Sequence, residues 1–355
     1  MAQPEPSPQR PPIGTAILNL LPRDNSVLRL LLIVAAIALF FSLTNPGTFP
    51  TMRNVRSMAF QSSEIGILAV AIALTMLTGG IDLSVNAVAN LCGILAGMLL
   101  TSMAPPGSPA EQAGLAVLLA LGVAIGVGVG CGLINGLLVS RVNMPPILAT
   151  LGTMTLFQGI GTGITGGSTI FGIEAFQVIG NAEIMGLPLP LLIFVGAAFI
   201  IAVMLSKTRF GFELYMLGAN PVAARFSGIN NAAVLLRTYA ISGTLAAIAG
   251  IVVLGRTNSA NVNFGGSYVL LAIVIAVLGG VNPSGGAGRI VGVALAVIAL
   301  QLLSTGLNML LAQYAGANFF KEFAWGLLLL LVLLGDQYFA RWRQSGGGRS
   351  KRVRE

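Results

Sequence analysis

The chain contains no histidine and very few charges: Lys, Arg, Asp and Glu together make up 8% of its 355 residues. A soluble domain carries roughly a quarter charged residues. Polar surface is therefore too scarce to coat a water-soluble globule of this length. The missing histidine excludes His-based triads, HExxH zinc sites and histidine proton relays. Cysteine is nearly as scarce. Cys92 and Cys131 both sit inside apolar runs, where they read as small packing residues, not as a disulfide or metal site. Each lysine (Lys207, Lys321 and Lys351) follows a residue other than glycine. There is thus no GKS or GKT phosphate loop, and no metal or nucleotide cofactor is expected on this chain.

What is abundant is apolar surface and glycine. Hydrophobic residues reach 55%, Gly numbers 46, and the mean hydropathy is +0.89. That describes an integral membrane protein. A porin-type barrel alternates apolar and polar residues and averages far lower, so the class is all-α, because backbone groups in lipid must be satisfied within each segment. With about 20 apolar residues needed per crossing, spans are expected near 27–44, 58–78, 83–103, 114–140, 146–165, 189–206, 232–255, 267–281, 288–312 and 320–340. The eighth is short and the fourth long.

Three domains of the chain follow. Residues 1–26 are proline-rich and polar, expected as a disordered tail. Residues 27–340 form the membrane domain, and 341–355 are a basic tail. Ten spans put both termini on one side, with fifteen of the nineteen basic residues. That side is cytoplasmic by the positive-inside rule. Arg53, Arg56, Arg256 and Lys321 fall opposite, and Arg53 with Arg56 runs against the rule. The net charge of +8 thus orients the chain and meets anionic lipid; it does not signal a nucleic-acid partner. In the fourth span, Gly122, Gly126 and Gly130, and again Gly128, Gly132 and Gly136, repeat at spacing four, as close helix packing favours.

Three breaks carry more. Leu77–Val85 (LTGGIDLSV) places Gly79 and Gly80 before Asp82 and Ser84. Either polar residue is placed to cap the next helix, and the alternative is an unwound segment beside a transport pathway. The segment about 207–231 is the longest cytoplasmic loop and carries several basic residues. Asn220-Pro221 starts a short helix, Val222 to Phe226 gives it an apolar side, and Gly228 ends it. A docking element for a cytoplasmic partner needs such a helix; a solvated loop does not. Leu278–Gly288 (LGGVNPSGGAG) allows a tight helix reversal. Among intramembrane polar residues, Glu64 lies about two turns inside a span and should face the bundle interior or water. It either accepts hydrogen bonds from solute hydroxyls or pairs with a neighbouring helix. Asn90, Gln158, Gln301 and Asn308 are weaker pathway candidates. The acids form no dyad at helical spacing, which argues against a membrane-embedded enzyme.

GGIDLSV at 79–85, INGLLV at 134–139, ATLGTMTLFQGI at 149–160, GxNPxAARxSGI at 218–229 and VLGGxxPxGGxG at 277–288 occur together in this order. The combination resembles the permease subunits of bacterial ATP-binding-cassette sugar importers of the ribose/xylose/arabinose/galactose group, over nearly the whole chain after residue 27. The resemblance implies an inner-membrane, multi-pass bundle of about ten helices similar to cobalamin-type importers. It also implies a second permease copy, cytoplasmic ATP-binding subunits that bind the ATP, and a periplasmic sugar-binding protein. By the matching positions, Gly218, Asn220, Pro221, Ala223, Arg225 and Gly228 would be the coupling segment that docks on the ATPase. Glu64, Gly79, Gly80, Asp82, Asn90, Gln158 and Asn308 are expected along the translocation pathway. One departure stands out: many members carry an acidic GxELDAIAA-like stretch before VLGG, whereas Gly266–Ile273 here has no carboxylate. A related branch, with rhamnose-type and autoinducer-type importers, pairs two different permeases, so the second copy is either identical or a related permease. The competing reading is a proton- or sodium-coupled carrier of a small polar solute, which would need more intramembrane ionisable groups than are present.

Overall fold

A computed structural model describes residues 25–105, 107–171, 176, 180–311, 323, 325–327 and 330. The tails expected at 1–26 and 341–355, apart from Asn25 and Ser26, lie outside the described residues, as does nearly all of the tenth span at 320–340. The long helices are α1 (Asn25–Thr44), α2 (Met52–Met76), α3 (Val85–Met103), α4 (Ala110–Ser140), α5 (Pro146–Thr165) and α6 (Leu189–Lys207). Two short helices follow, α7 (Arg209–Ala219) and α8 (Pro221–Phe226). Then come α9 (Asn231–Thr257), α10 (Tyr268–Leu278) and α11 (Ile290–Leu311). Eight of these, all but α7, α8 and α10, are long and apolar enough to cross a membrane. The protein is a polytopic helical membrane protein.

Two local differences from expectation have clear causes. Helix α2 starts at Met52, six residues early, because Thr51 caps it by accepting from Asn54 N at 3.3 Å. Its first turns therefore carry Arg53 and Arg56. The expected eighth span at 267–281 is α10, a helix of 11 residues, about 16 Å long at 1.5 Å per residue. That is roughly half of a 30 Å hydrocarbon core, so α10 is a half-helix and not a span in its own right. Gly280, at φ +85°, stops it on one side. On the other side, residues 261–267 are non-helical.

Helices α2, α3 and α9 are the inner members, with every residue from Gly66 to Met76 of α2 buried. Helix α1 is peripheral: Leu32, Leu39 and Leu43 are exposed, and Phe41 packs on Gly306 of α11. In lipid the packing term is close van der Waals fit, since lipid tails are as apolar as the side chains. The α4–α9 seam shows how that fit is reached. A Cβ at Gly132 would collide with the Tyr239 carbonyl oxygen, and one at Gly128 with that of Gly243. On the other glycine row of α4, a Cβ at Gly122, Gly126 or Gly130 would meet nothing within 4 Å among the described residues. Two short antiparallel strand pairings join the connecting segments. β1 (Ile170–Phe171) pairs antiparallel with β4 (Ser259–Ala260), and β2 (Glu183–Ile184) with β3 (Leu187–Pro188).

Candidate translocation and coupling sites

The three breaks singled out in the sequence meet at one end of the bundle. Gly286 N donates to the Leu77 carbonyl at 2.9 Å. A Cβ at Gly218 would collide with that same carbonyl and with Gly286 N, and one at Gly286 would press on Ala219. The ends of α2 and α7 and the α10–α11 loop thus touch backbone to backbone, which only small residues allow. Tyr215 on α7 adds a tie by donating to the Gly288 carbonyl at 2.8 Å. Burial pushes its phenol pKa up, with Arg289 pulling the other way.

The segment expected to couple folds as a capped, exposed helix. Asn220 Oδ1 accepts from the backbone N–H of Val222 and Ala223, both at 3.0 Å, which caps α8 and satisfies its otherwise orphaned donors. Pro221 occupies the first helical position and Gly228, at φ +80°, ends the turn. Asn231 donates back to the Pro221 carbonyl at 2.8 Å, closing the loop. Ala224 is buried, while Ala223 and Arg225 are exposed. Val222 and Phe226 are 64% and 90% exposed. This six-residue helix presents an aromatic ring and a β-branched side chain beside an arginine, and none of these three is covered by the described residues.

Asp82 is buried but is not a helix cap. Ser84 occupies the N-cap position of α3 and makes no side-chain cap bond. Asp82 Oδ1 instead accepts from Ser84 N and Ser84 Oγ at 3.0 and 2.7 Å, and Oδ2 accepts from Ser242 Oγ of α9 at 3.1 Å. Ser84 Oγ accepts from Asn135 Nδ2 of α4, and Asn135 Oδ1 from Thr153 Oγ1 of α5. The Gly79–Asp82 break is therefore stitched to three helices. Gly80 lies against Pro146 and the Tyr239 hydroxyl, which has no hydrogen-bond partner among the described residues.

Asn90 and its helical neighbour Asn86 hold the other irregular segment. Asn90 Nδ2 donates to the carbonyls of Val262 and Phe264 at 2.8 and 2.9 Å. Asn86 Nδ2 donates to those of Phe264 and Gly265 at 2.9 and 3.0 Å. Non-helical backbone is tolerated at membrane depth only where protein or a cavity satisfies it, and these two amides do so ahead of the half-helix α10.

Glu64 lies in a third site. Arg256, at the end of α9, grips it in two-pronged fashion: Nε to Oε2 at 3.0 Å and Nη2 to Oε1 at 2.9 Å. Tyr268, the first residue of α10, donates its hydroxyl to Oε1 at 2.8 Å. Beside this triad is a cavity of about 160 Å³, walled also by Gln61, Gln301 and Ser304. A second cavity of about 620 Å³ shares Gln61 and Arg256 with the first. It reaches Arg53, Arg56 and Glu183, with Arg56 and Glu183 3.6 Å apart. Gln158 on α5 and Asn308 on α11 line neither cavity. Both are half-buried, and the Asn308 side-chain oxygen has no partner among the described residues.

Sequence reasoning missed Arg256, Tyr268, Asn86, Asn135 and Ser242. Arg256 had one visible signal: an arginine closing a long apolar run opposite a lone intramembrane acid. The rest had none, since hydrogen bonds such as Asn90 to Val262 span more than 170 residues.

A multi-helix bundle with broken helices, polar cavities and a short helix with exposed apolar side chains is the architecture of a polytopic membrane protein with a path for solute. The chain belongs to the family described as "Branched-chain amino acid transport system / permease component", which matches residues 54–334. The ribose import permease protein RbsC of Bacillus subtilis is 38% identical over 85% of this chain and 89% of its own length. The galactose/methyl galactoside import permease protein MglC of Salmonella typhimurium is 32% identical over 90% and 96%. The autoinducer 2 import system permease protein LsrD of an Enterobacter strain is 31% identical over 86% and 90%. No solved structure matches. The protein is thus a permease, a transport component and not an ATPase, as the sequence resemblance implied.

Proposed function

We propose that this permease is the membrane-spanning subunit of an ATP-driven importer in a bacterial inner membrane. It moves a sugar or sugar-like solute from periplasm to cytoplasm by alternating access, and a separate cytoplasmic subunit hydrolyses the ATP. The carrying observation is the meeting of the end of α7, which leads directly into α8, with the Leu77–Gly79 break and the α10–α11 loop. Force applied to Val222 and Phe226 reaches, through Gly218, the backbone at the end of α2 and the loop that leads into α11. A docking helix rigidly joined to broken helices is what an externally powered permease needs, because it carries no energy source of its own.

In this reading the chain crosses the membrane about ten times, one crossing shared by the irregular residues 258–267 and α10, with both termini in the cytoplasm, in a cobalamin-importer-like bundle. The end bearing α8 faces the cytoplasm with Arg141, Arg209, Arg225, Arg237 and Arg289, and the Arg53–Arg56–Glu183 end faces the periplasm. A periplasmic binding protein delivers the solute, and a second permease, identical or related, completes the pathway. The names of the relatives, ribose, galactose and autoinducer 2 permeases, favour a sugar-like cargo.

Co-purification tests the docking. Tagged wild-type chain should retain its ATP-binding subunit in detergent, and Phe226→Glu should lose it while eluting as a folded species at the same volume. Retention of the ATPase by Phe226→Glu would remove α8 from the docking surface.

A further inference from the structure

At the α8 end of the bundle, the last turns of α6, the middle of α7 and the start of α11 leave a groove of about 600 Å³ between them, a volume in the range of ligand clefts. Its long wall is apolar. Phe199 and Val203 of α6 and Val291 of α11 are exposed along it. Phe199 lies seven residues before Ser206 on α6, about 10 Å farther along the helix axis. The groove thus runs from the end of α6 into the body of a helix apolar enough to cross the membrane. Its mouth is polar and positive. Arg289 and Ser206 stand there with Tyr215, whose hydroxyl lies within the field of the Arg289 charge. Lys207, exposed, follows Ser206. No residue of the wall is acidic, and Glu213 on α7 is engaged by Arg209 at 2.6 Å.

We propose that this groove holds one anionic phospholipid, its phosphate against Arg289 and Ser206 and an acyl chain along Phe199, Val203 and Val291. In the orientation given above the lipid belongs to the cytoplasmic leaflet. Two features select that occupant together. A basic mouth with no carboxylate in its wall favours a phosphate-bearing anion, as basic pockets between membrane helices on the cytoplasmic side do. The apolar wall lies at membrane depth, where a soluble protein partner does not reach and where close van der Waals fit holds an acyl chain in place. A free phosphate ion would use the mouth and leave the wall empty. Tyr215 and Gly288, which tie α7 to the α10–α11 loop at 2.8 Å, form part of the same wall. The bound lipid therefore braces the joint behind the docking helix.

Native mass spectrometry counts the lipid. The full-length chain in a mild detergent is offered equal amounts of phosphatidylglycerol and phosphatidylcholine with the same acyl chains, and in a separate arm inorganic phosphate. The expected result is one phosphatidylglycerol per chain, retained about tenfold over phosphatidylcholine, the worth of one charge-assisted contact. Arg289→Gln should abolish that preference. Val291→Trp, which fills the groove and leaves every charge in place, should abolish retention of either lipid, and it keeps the test decisive should Arg289→Gln fail to fold. Arg141→Gln, which removes a basic residue outside the groove, should change neither. Equal retention of the two lipids, wild-type retention in Val291→Trp, or the same loss in Arg141→Gln as in Arg289→Gln would overturn the proposal. So would saturable binding of inorganic phosphate by a chain that retains no lipid. The count needs neither ATP nor a partner subunit, so a failure of ATP-driven uptake would refute the transport reading and leave the lipid site standing.

Discussion

At the scale of single residues, four polar side chains inside this apolar bundle bind helix to helix or helix to loop. Glu64, Asp82, Asn86 and Asn90 each bond across more than 150 residues of sequence. Their removal has computable consequences. Arg256→Met strands the buried Glu64 carboxylate, and breaking one partner of such a pair costs about 3 kcal/mol or more. The chain should therefore show a clearly lowered midpoint on denaturant titration in mixed micelles, and Glu64→Gln added to Arg256→Met should recover part of the loss. An unchanged midpoint in Arg256→Met would show the pair to be energetically idle. Asn90→Leu takes the donor from the Val262 carbonyl, at about 1–3 kcal/mol, while Asn86 still serves Phe264. The expected sign is faster proteolysis at 258–267, with the rest of the chain protected.

At the scale of elements, helix positions were largely readable from the order of residues. The expected span 146–165 coincides with α5, and 27–44, 83–103 and 189–206 differ from their helices by two residues or fewer at either end. Long apolar runs force helices in lipid whatever their neighbours do. What hid was whatever depends on a distant partner. The 267–281 run is apolar enough to suggest a span, yet it folds as a half-helix, because Asn86 and Asn90 stabilise the irregular backbone before it. Asp82 looked like a cap by its spacing, but its oxygens serve Ser84 and Ser242 instead. The spacing-four glycines promised close packing for both rows; Gly128 and Gly132 meet α9, whereas a Cβ at Gly122, Gly126 or Gly130 meets nothing within 4 Å among the described residues. Gly132→Leu should therefore abolish folded protein, read as loss of a monodisperse peak in size-exclusion chromatography. Gly126→Leu should leave the single-chain fold intact. Asn220→Ala removes the α8 cap, worth about 1 kcal/mol. It should lower ATP-driven uptake while the chain stays folded; undiminished uptake would mean that α8 needs no fixed geometry.

At the scale of the whole molecule, the two ends of the bundle differ in kind. One end gathers three glycine-rich breaks around a capped, apolar-faced helix. The other holds an arginine-lined cavity that opens on a buried carboxylate–guanidinium pair. An importer driven from the cytoplasm needs that polarity: a docking end, an entry end, and broken helices between them. A carrier driven by protons or sodium would leave α8 without a role, although Asp82, buried among hydroxyls, is a carboxylate it could use. Uptake in proteoliposomes separates the two most directly. The permease, reconstituted with its ATP-binding subunit, binding protein and any second permease, is given radiolabelled solute with ATP inside and no ion gradient. ATP-dependent accumulation that disappears in Phe226→Glu is the predicted result. Accumulation without ATP, driven by an imposed proton or sodium gradient and unaffected by Phe226→Glu, would contradict it.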